Sequence, residues 1–425
     1  MGIRWEDAVL FQPGKTPGDP TLITANCPDK AGLGCDLCRI ILEFGLCITR
    51  GDFQTDGKWC YIVLWTVPQE SSTRIEWDSL KHRLQAACPS WSIMSSFHFN
   101  QPPRFAKASP VYLLKVFCLD RKGLLHDVTK VLSKLDLTIQ RVKVTTTPDD
   151  KVLDLFFITD TMDLLHTEER RDETCRHLAQ VLKEHCISCE LQLSGPEFEN
   201  QQGALMSFSS EVAEELFSCE LSSKEMGSLH PLSSEMKKVK KASITVDNHM
   251  SPSHTLLQIQ CIDQKSLVYD ILRTSKDCDI QIAYGRISPT VDGCRNVDLF
   301  IQKKDGGKIV DPEILTALCS RLKEEMLHPL RVTIASRGPD TILLVANPVE
   351  VSGFGRPRVF YDVTLALKLL GICIFSAEVV RHSTSDRKWE VYRFLLDDIP
   401  RFPIASQQRS RVEIIDKVRK TLMIC

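Results

Sequence analysis

Apolar and polar positions follow one repeated order along this chain, and residues 111–193 show it most clearly. Continuous apolar runs indicate strands, apolar residues three and four apart indicate helices, and alternation indicates the strands of a hairpin. The predicted elements are a strand over 111–119, a helix over 124–135, strands over 137–147 and 151–160, a helix over 167–184 and a strand over 186–193. The order is therefore βαββαβ.

The same order recurs in three other parts of the chain, which begin with the apolar runs 22–27, 256–261 and 342–347. We number the four copies one to four in chain order. The later elements are predicted as strands over 46–55, 59–67 and 91–99 with a helix over 76–88 in copy one, strands over 278–289, 293–303 and 330–335 with a helix over 311–326 in copy three, and strands over 372–381 and 388–397 with a helix over 408–421 in copy four. Only four residues follow that last helix. Copy four is thus predicted to be truncated at its last strand.

A short loop joins the first strand to the first helix of each copy. In copies one to three the strand ends nine residues before an aspartate, and the connecting segments read PDKAGLGCD, LDRKGLLHD and IDQKSLVYD. Copy four carries a six-residue insertion at this place. A glycine at such a junction indicates a positive φ or a close approach to the backbone. Gly32 and Gly123 hold this position, and Ser266 replaces glycine in copy three.

The βαββαβ order is the split βαβ arrangement of a ferredoxin-like fold, a four-stranded antiparallel sheet with two helices on one face. The predicted fold class is α+β, with four tandem ferredoxin-like domains. Nine serines between Pro196 and Glu235 mark a linker. The predicted organisation is an N-terminal segment over 1–19, domains over 20–104 and 110–195, a serine-rich linker over 196–241, and domains over 242–336 and 340–425.

Composition is ordinary for a globular protein. The 425 residues are 43% hydrophobic and 25% charged, and the formal net charge of −2 gives no electrostatic case for nucleic acid or an anionic membrane. The apolar runs are shorter than the roughly 18 residues of a membrane span, and the start of the chain lacks the apolar core of a signal peptide. We expect a cytoplasmic protein. The basic cluster Lys237–Lys241 could direct it to the nucleus, although a solvated end of the linker is the alternative we favour.

The 17 cysteines favour packing over chemistry. The two CxxC pairs, Cys35–Cys38 and Cys186–Cys189, are too far apart along the chain for a zinc site, and most other cysteines lie inside periodic segments. The segments GLG and GFG lack the third glycine of a dinucleotide-binding motif. The sequence therefore predicts no catalytic residue, no metal site and no cofactor.

The repeated unit with its Asp-x-x-Gly-Leu loop resembles the ACT domain, and the tandem array resembles the plant ACT-domain repeat proteins. The resemblance implies ACT-like domains that sense a small molecule, usually an amino acid, at interfaces between paired domains, and it does not imply catalysis. The first-turn amides of a helix lack intrahelical partners and suit a carboxylate. The candidate ligand-binding residues are Asp29, Gly32, Leu33, Asp120, Gly123, Leu124 and Leu125.

The predicted function is a non-enzymatic regulatory protein whose partners are a small amino acid and, as a further possibility, another protein or a second copy of the chain. The alternative is a structural scaffold for protein assembly, in which the glycines serve only tight strand–helix packing. We also expect the halves 20–195 and 242–425 to be separable at the linker. Finally, we expect an unpaired sheet edge in copy four, which residues 8–11 or another chain could complete.

Overall fold

The structure is a computed structural model. It describes residues 8–16, 18–70, 75–89, 110–147, 149, 151–160, 163–195, 213, 216–217, 242–337, 340–351, 353–384, 387–396 and 408–424. The predicted strand over 91–99, the cluster Lys237–Lys241 and nearly all of the linker lie outside these ranges.

The described residues form strands and helices close to those predicted. The strands are β1 (Val9–Gln12), β2 (Thr21–Pro28), β3 (Leu46–Thr55), β4 (Trp59–Pro68), β5 (Tyr112–Leu119), β6 (Leu137–Thr146), β7 (Lys151–Asp160), β8 (Cys186–Leu193), β9 (Ala242–Asp247), β10 (Thr255–Ile262), β11 (Ile280–Pro289), β12 (Cys294–Lys303), β13 (Arg331–Arg337), β14 (Asp340–Pro348), β15 (Ile374–Ser383) and β16 (Lys388–Leu396). The helices are α1 (Leu33–Glu43), α2 (Trp77–Ala87), α3 (Leu124–Lys134), α4 (Glu168–Leu182), α5 (Leu267–Asp277), α6 (Pro312–Leu327), α7 (Val359–Leu370) and α8 (Gln408–Met423).

These elements build two eight-stranded antiparallel sheets, one in each of two compact units. The sheet of the first unit has the order β1-β2-β4-β3-β11-β12-β10-β9, and that of the second has the order β13-β14-β16-β15-β6-β7-β5-β8. Each half of a sheet is the four-stranded antiparallel sheet of one copy. The predicted fold class, tandem ferredoxin-like α+β domains, is therefore confirmed.

Each unit pairs copies that are not neighbours in sequence. The first unit joins copy one to copy three through β3 and β11, and the second joins copy two to copy four through β6 and β15. The prediction that the halves 20–195 and 242–425 are separable is therefore wrong, because each half supplies only part of both sheets. The linker connects copies that belong to different units.

The edge strand of three copies precedes the copy rather than following it. In copies one, three and four the strand beside the first strand of the βαββα core is β1, β9 and β13, respectively. Only in copy two, among the described residues, does the edge strand follow the last helix, as β8. Three copies thus have the order ββαββα. Their sheet is the same as that of a βαββαβ domain, but the edge strand comes first in the chain and not last.

This shift changes two predictions about edges. The strand predicted over 330–335 as the end of copy three is β13, which pairs along its whole length with β14 of copy four. Copy four has no strand after α8 in the described chain, as predicted, but its edge is covered. Residues 8–11 do not complete that edge, because β1 pairs with β2 of copy one.

A β-bulge recurs in the second core strand of every copy. The register shifts lie after Ile48, Ile139, Ile282 and Ile374. A bulge bends its strand and redirects nearby side chains. Each bulge lies in a strand that pairs with the other copy of its unit, so it shapes the junction between paired domains.

Candidate functional site

The first helix of each copy begins at a residue in the left-handed conformation. The N-cap residues Gly32, Gly123, Ser266 and Arg358 have φ values of 78°, 75°, 68° and 63°. Glycine adopts this conformation without strain, whereas other residues do so at a cost. The sequence prediction of a positive φ at Gly32 and Gly123 is confirmed, and the structure adds Arg358 as the equivalent position of copy four.

In the second unit, the start of α3 meets the end of α7. Lys368, in the last turn of α7, donates a hydrogen bond from Nζ to Oδ1 of Asp127 at 2.6 Å. Arg121 donates to Oδ2 of the same carboxylate at 2.7 Å. At the opposite end of the helix pair, Arg358 donates to Oγ of Ser133 at 3.1 Å. The two helices are therefore antiparallel, and each N-terminus meets the other C-terminus.

The first unit repeats this arrangement between α1 and α5. Lys276 donates from Nζ to Oδ1 of Asp36 at 3.1 Å, and Lys30 donates to Oδ2 at 3.1 Å. An acid in the first turn and a lysine in the last turn of a helix complement the helix dipole. The aspartates that end the loop motifs of copies one and two, Asp36 and Asp127, thus each join two copies.

Hydrogen bonds keep the Asp127 carboxylate ionised. Burial opposes its charge, but the bonds from Lys368 and Arg121 outweigh burial and lower the pKa of Asp127. The acid is therefore a stable anchor for Lys368, whose stem crosses Gly123. A Cβ atom added to Gly123 would lie 2.7 Å from Cγ and Cδ of Lys368, so glycine is required there by both φ and space.

The amide groups at the start of α3 differ in availability. The N–H of Leu124 donates to the carbonyl of Arg121 at 3.1 Å. This corrects the expectation that Leu124 offers a free amide. The amide of Leu125 is a first-turn donor, for which helix geometry provides no intrahelical acceptor.

A small cavity lies beside this helix start, between copies two and four. Asp120, Gly123, Leu124 and Leu125 line it from copy two, and Thr364, Lys368 and Ile374 line it from copy four. Its volume is about 20 Å³, which holds about one water molecule. Four predicted site residues are therefore brought together, and the bulged strand β15 of the paired copy completes the wall. Whether they bind a ligand stays a prediction.

The other three predicted residues lie at the matching end of the first unit. Leu33 is buried, and its N–H donates to the carbonyl of Lys30 at 3.0 Å. Asp29 accepts a hydrogen bond from Oγ1 of Thr55 at 2.6 Å and holds the loop to the end of β3. Lys276 crosses Gly32 as Lys368 crosses Gly123, with its Cε 2.7 Å from an added Cβ.

Sequence reasoning missed Asp154, which also lines the cavity. This residue is on β7 and only 1% exposed. The signal was available, because Val152, Phe156 and Ile158 of the same strand are buried on one face and Asp154 shares their alternation. An acid at a core position of an alternating strand indicates a functional site.

A second cavity, of about 60 Å³, lies at the Ser266 loop of copy three. Arg295 extends along it, donating to Oδ2 of Asp263 at 2.5 Å and to the carbonyl of Thr49 in the bulge of β3. The cationic and anionic groups of this cavity thus satisfy each other. It needs no ligand to balance its charges.

Metal sites, cysteines and membrane spans also bear on function. In the described part of the chain, no group of three or more His, Cys, Asp or Glu side chains is placed to hold a metal ion. Cys35 and Cys38 face the core, and burial raises the pKa of the Cys38 thiol. Among the cysteines, Cys47 is disulfide-bonded. No helix within the described ranges has the length and apolar character needed to cross a membrane.

Comparison with known proteins gives matches along most of the chain. The matched families are described as ACT domain-containing protein ACR10, N-terminal, over 11–89, ACT domain over 112–176, ACR9-like, ACT-like domain over 243–340, and ACT domain-containing protein ACR9, C-terminal, over 341–424. ACT domain-containing protein ACR9 of Arabidopsis thaliana is 62% identical over 423 residues, which cover all of both chains. ACR10 of the same plant is 49% identical over 430 residues, which cover all of this chain and 99% of that protein. A bifunctional uridylyltransferase/uridylyl-removing enzyme of Gluconobacter oxydans (strain 621H) is 25% identical over 219 residues, 51% of this chain and 19% of that enzyme.

Proposed function

Because the chain belongs to the plant family of ACT-domain repeat proteins that includes ACR9 and ACR10, we propose that it is a non-catalytic sensor of a small α-amino acid. The ligand binds between paired ACT domains, at the loop that contains Gly123. This is the kind of ligand and the kind of place that the ACT resemblance implies. We assign this sensor to the cytoplasm, on the same features of the sequence that led us to expect a cytoplasmic protein.

The observation that carries the proposal is the cavity at the start of α3. It combines first-turn amides, a glycine whose missing Cβ leaves space that the stem of Lys368 occupies, and walls from two different copies. Amides at a helix start favour an anionic group such as the carboxylate of an amino acid. In its described form the cavity is too small for such a ligand.

The side chain of Lys368 provides the room. It is 39% exposed, and its stem forms the outer wall over Gly123. Turning this side chain toward solvent breaks its hydrogen bond to Asp127, which keeps the one from Arg121, and opens the cavity without movement of the backbone. The ligand carboxylate then contacts the amide of Leu125.

Binding at this place would hold copy two to copy four. Since the ligand contacts both copies, it stabilises the paired arrangement over any arrangement in which they separate. A ligand at one hundred times its Kd stabilises the binding-competent state by about 2.7 kcal/mol. Copy two precedes the serine-rich linker and copy four follows it. The ligand would therefore hold together two domains that lie on opposite sides of the linker in sequence.

The proposal extends to the loop of copy one, with Asp29, Gly32 and Leu33 as its residues. That loop shares the left-handed glycine, the aspartate and the lysine of the other unit. It presents Ile62 where copy two presents Asp154, because the two residues hold the same register position on their strands. A ligand at this second place would therefore be bound by its carboxylate alone.

Isothermal titration calorimetry of the full chain against each of the twenty amino acids tests the proposal. We expect binding of a small amino acid, and loss of that binding in Gly123→Val, because the new side chain strains the backbone and covers the amides. The matched control is Gly353→Val. Gly353 also has a left-handed φ, of +93°, but a Cβ atom there meets nothing within 4 Å.

Two results would contradict the proposal. The first is the absence of binding by all twenty amino acids to the wild-type chain. The second is a Gly123→Val chain that is folded by circular dichroism and binds with unchanged affinity. Either result would favour the scaffold alternative.

A further inference from the structure

Asp154 in the middle of β7 has no acidic counterpart in the other three copies. Asp154 pairs with Val116 of β5, three residues before the end of the register at Leu119. The equivalent positions, found from the same strand registers, are Ile62, Val297 and Tyr392. All of these are buried. Copy two thus replaces an apolar or aromatic core residue by a carboxyl group.

This carboxyl group is incompletely satisfied. Among the residues that the structure describes, Oδ1 of Asp154 has no hydrogen-bond partner. A buried polar atom without a partner destabilises the folded chain. Such a cost persists at a position where the other three copies bury Ile62, Val297 and Tyr392, none of them an acid, so a role other than folding is indicated.

The charges around the cavity leave Asp154 without a cation of its own. The charged and titratable groups that share the cavity are Asp120, Arg121, His126 and Lys368, and β6 and β15 add the apolar Val144 and Ile374. Both cations are committed to Asp127, which accepts hydrogen bonds from Arg121 and Lys368. His126 lies 3.2 Å from Oγ1 of Thr364 through its Nδ1. Burial, and then the charge of Asp120, raise the pKa of Asp154 to about 8.

We infer that Asp154 is the group that recognises the ammonium of the ligand, so that the cavity selects a free primary α-amine next to a carboxylate. The inference rests on the proposed function and names the second half of the recognition. The carboxylate contacts the amides at the start of α3, and the ammonium contacts Oδ1 of Asp154. The cavity at Ser266 lacks this pairing, because Arg295 fills it with a fixed cation.

Ligand binding at Asp154 should release a proton that can be measured. At pH 7 the free chain holds Asp154 mainly as the neutral acid, since its pKa is raised. The incoming ammonium keeps its own protons and stabilises the carboxylate, so Asp154 releases one proton to solvent when the ligand binds. One zwitterion is taken up, one proton leaves, and the bound pair is Asp154 carboxylate with ligand ammonium.

Calorimetry of the full chain at pH 7, in two buffers of different ionisation enthalpy, measures that proton directly. The probes are glycine, L-alanine and L-serine, each compared with its N-acetyl derivative. We expect nearly one proton released per molecule of bound amino acid. A charge-assisted hydrogen bond in such a place is equivalent to about a 10- to 100-fold change in Kd, so the N-acetyl derivatives should bind more weakly by at least that factor.

The variant Asp154→Asn should weaken amino-acid binding by a similar factor and abolish proton release. The matched control is Asp160→Asn, which changes another buried acid of β7 that lies outside the cavity and accepts a hydrogen bond from the Leu164 amide. This control should keep both the affinity and the released proton. If Asp154→Asn fails to fold, the N-acetyl comparison and the proton count on the wild-type chain still decide the matter.

The outcomes separate the two proposals. If none of the probes and no other amino acid binds the wild-type chain, both are overturned. If an amino acid binds without release of a proton, or if its N-acetyl derivative binds equally well, the role of Asp154 is overturned and the proposed function stands. Equal binding by a folded Asp154→Asn chain has the same meaning.

Discussion

At the residue scale, Ser266 and Arg358 hold a conformation that favours glycine. A left-handed conformation costs an L-residue about 1–2 kcal/mol. Glycine removes this strain, but it also raises the entropy of the unfolded chain, which offsets part of the gain in stability. We predict that Ser266→Gly raises the free energy of unfolding by about 0.5–1 kcal/mol, measured by urea denaturation. Arg358→Gly should give no such gain, because it removes the bond to Ser133 and the stacking on Tyr361 at 4.1 Å. A decrease in stability of Ser266→Gly would contradict the assigned backbone conformation.

The same scale gives a pH prediction for Asp154. Its pKa is raised from 3.8 to about 8, so between these values the folded chain holds a proton that the unfolded chain releases. Stability therefore falls as pH rises through this window and levels off above about pH 8. We predict that the free energy of unfolding of Asp154→Asn, relative to wild type, increases from pH 5 to pH 8.5 in urea denaturation. A constant difference would show that Asp154 titrates normally.

Residues of the site differ in how far the sequence could predict them. Gly32 and Gly123 were predictable, because the loop motif recurs and few residues besides glycine tolerate a positive φ. Asp154 was predictable from the alternation of β7, although one acid in the middle of an otherwise apolar face is easily overlooked. Lys368 was not predictable. It reaches Gly123 only through the pairing of copies two and four, which no local pattern encodes.

At the element scale, β1 pairs with β2 at the edge of copy one, and one face of β1 is buried while the other is exposed to solvent. Val9 is 0% exposed, whereas Leu10 is 45% exposed. We predict that Val9→Ala lowers the free energy of unfolding by about 2 kcal/mol, since it removes two buried methyl groups. The adjacent control Leu10→Ala should change it by less than about 0.5 kcal/mol. Equal effects of the two changes in urea denaturation would place β1 away from β2.

The edge strands also show that the sequence predicts a strand more easily than the partner with which it pairs. Periodicity predicted a strand near 330–335 correctly, but its partner depends on contacts between distant residues. A local signal did exist, because Gly338 and Pro339 separate two apolar runs as in a hairpin. β13 and β14 pair from Arg337 and Asp340 outward, as that signal implies. Spacing between copies was a weaker guide than the turn itself.

At the scale of the whole molecule, the two units interleave along the chain. Both sheets contain strands from before and after the linker, so cutting the linker should not separate the protein. We predict that a chain cleaved at a protease site inserted after residue 225 elutes as a single species with the mass of the intact chain. Size-exclusion chromatography with light scattering measures this, and the uncut insertion variant is the control. Two folded species of about half the mass would contradict the assigned pairing.

This pairing was the feature least accessible to sequence reasoning. Consecutive elements and domains are usually neighbours in space, so copies one and two were the natural pair. In a copy taken alone, β3, β6, β11 or β15 would be a sheet edge with backbone groups able to pair. The choice of partner among them depends on the packing of α1 on α5 and of α3 on α7. Four similar copies make several pairings compatible with one hydrophobic pattern.

The central claim is that an amino acid binds where copy two meets copy four. Hydrogen exchange of the full chain, followed by mass spectrometry with and without the amino acid that calorimetry identifies, locates the ligand directly. We predict slower exchange in two separate peptides, 121–128 at the start of α3 and 364–374 at the end of α7. A ligand-saturated chain in which both peptides exchange at their unliganded rates would contradict the claim.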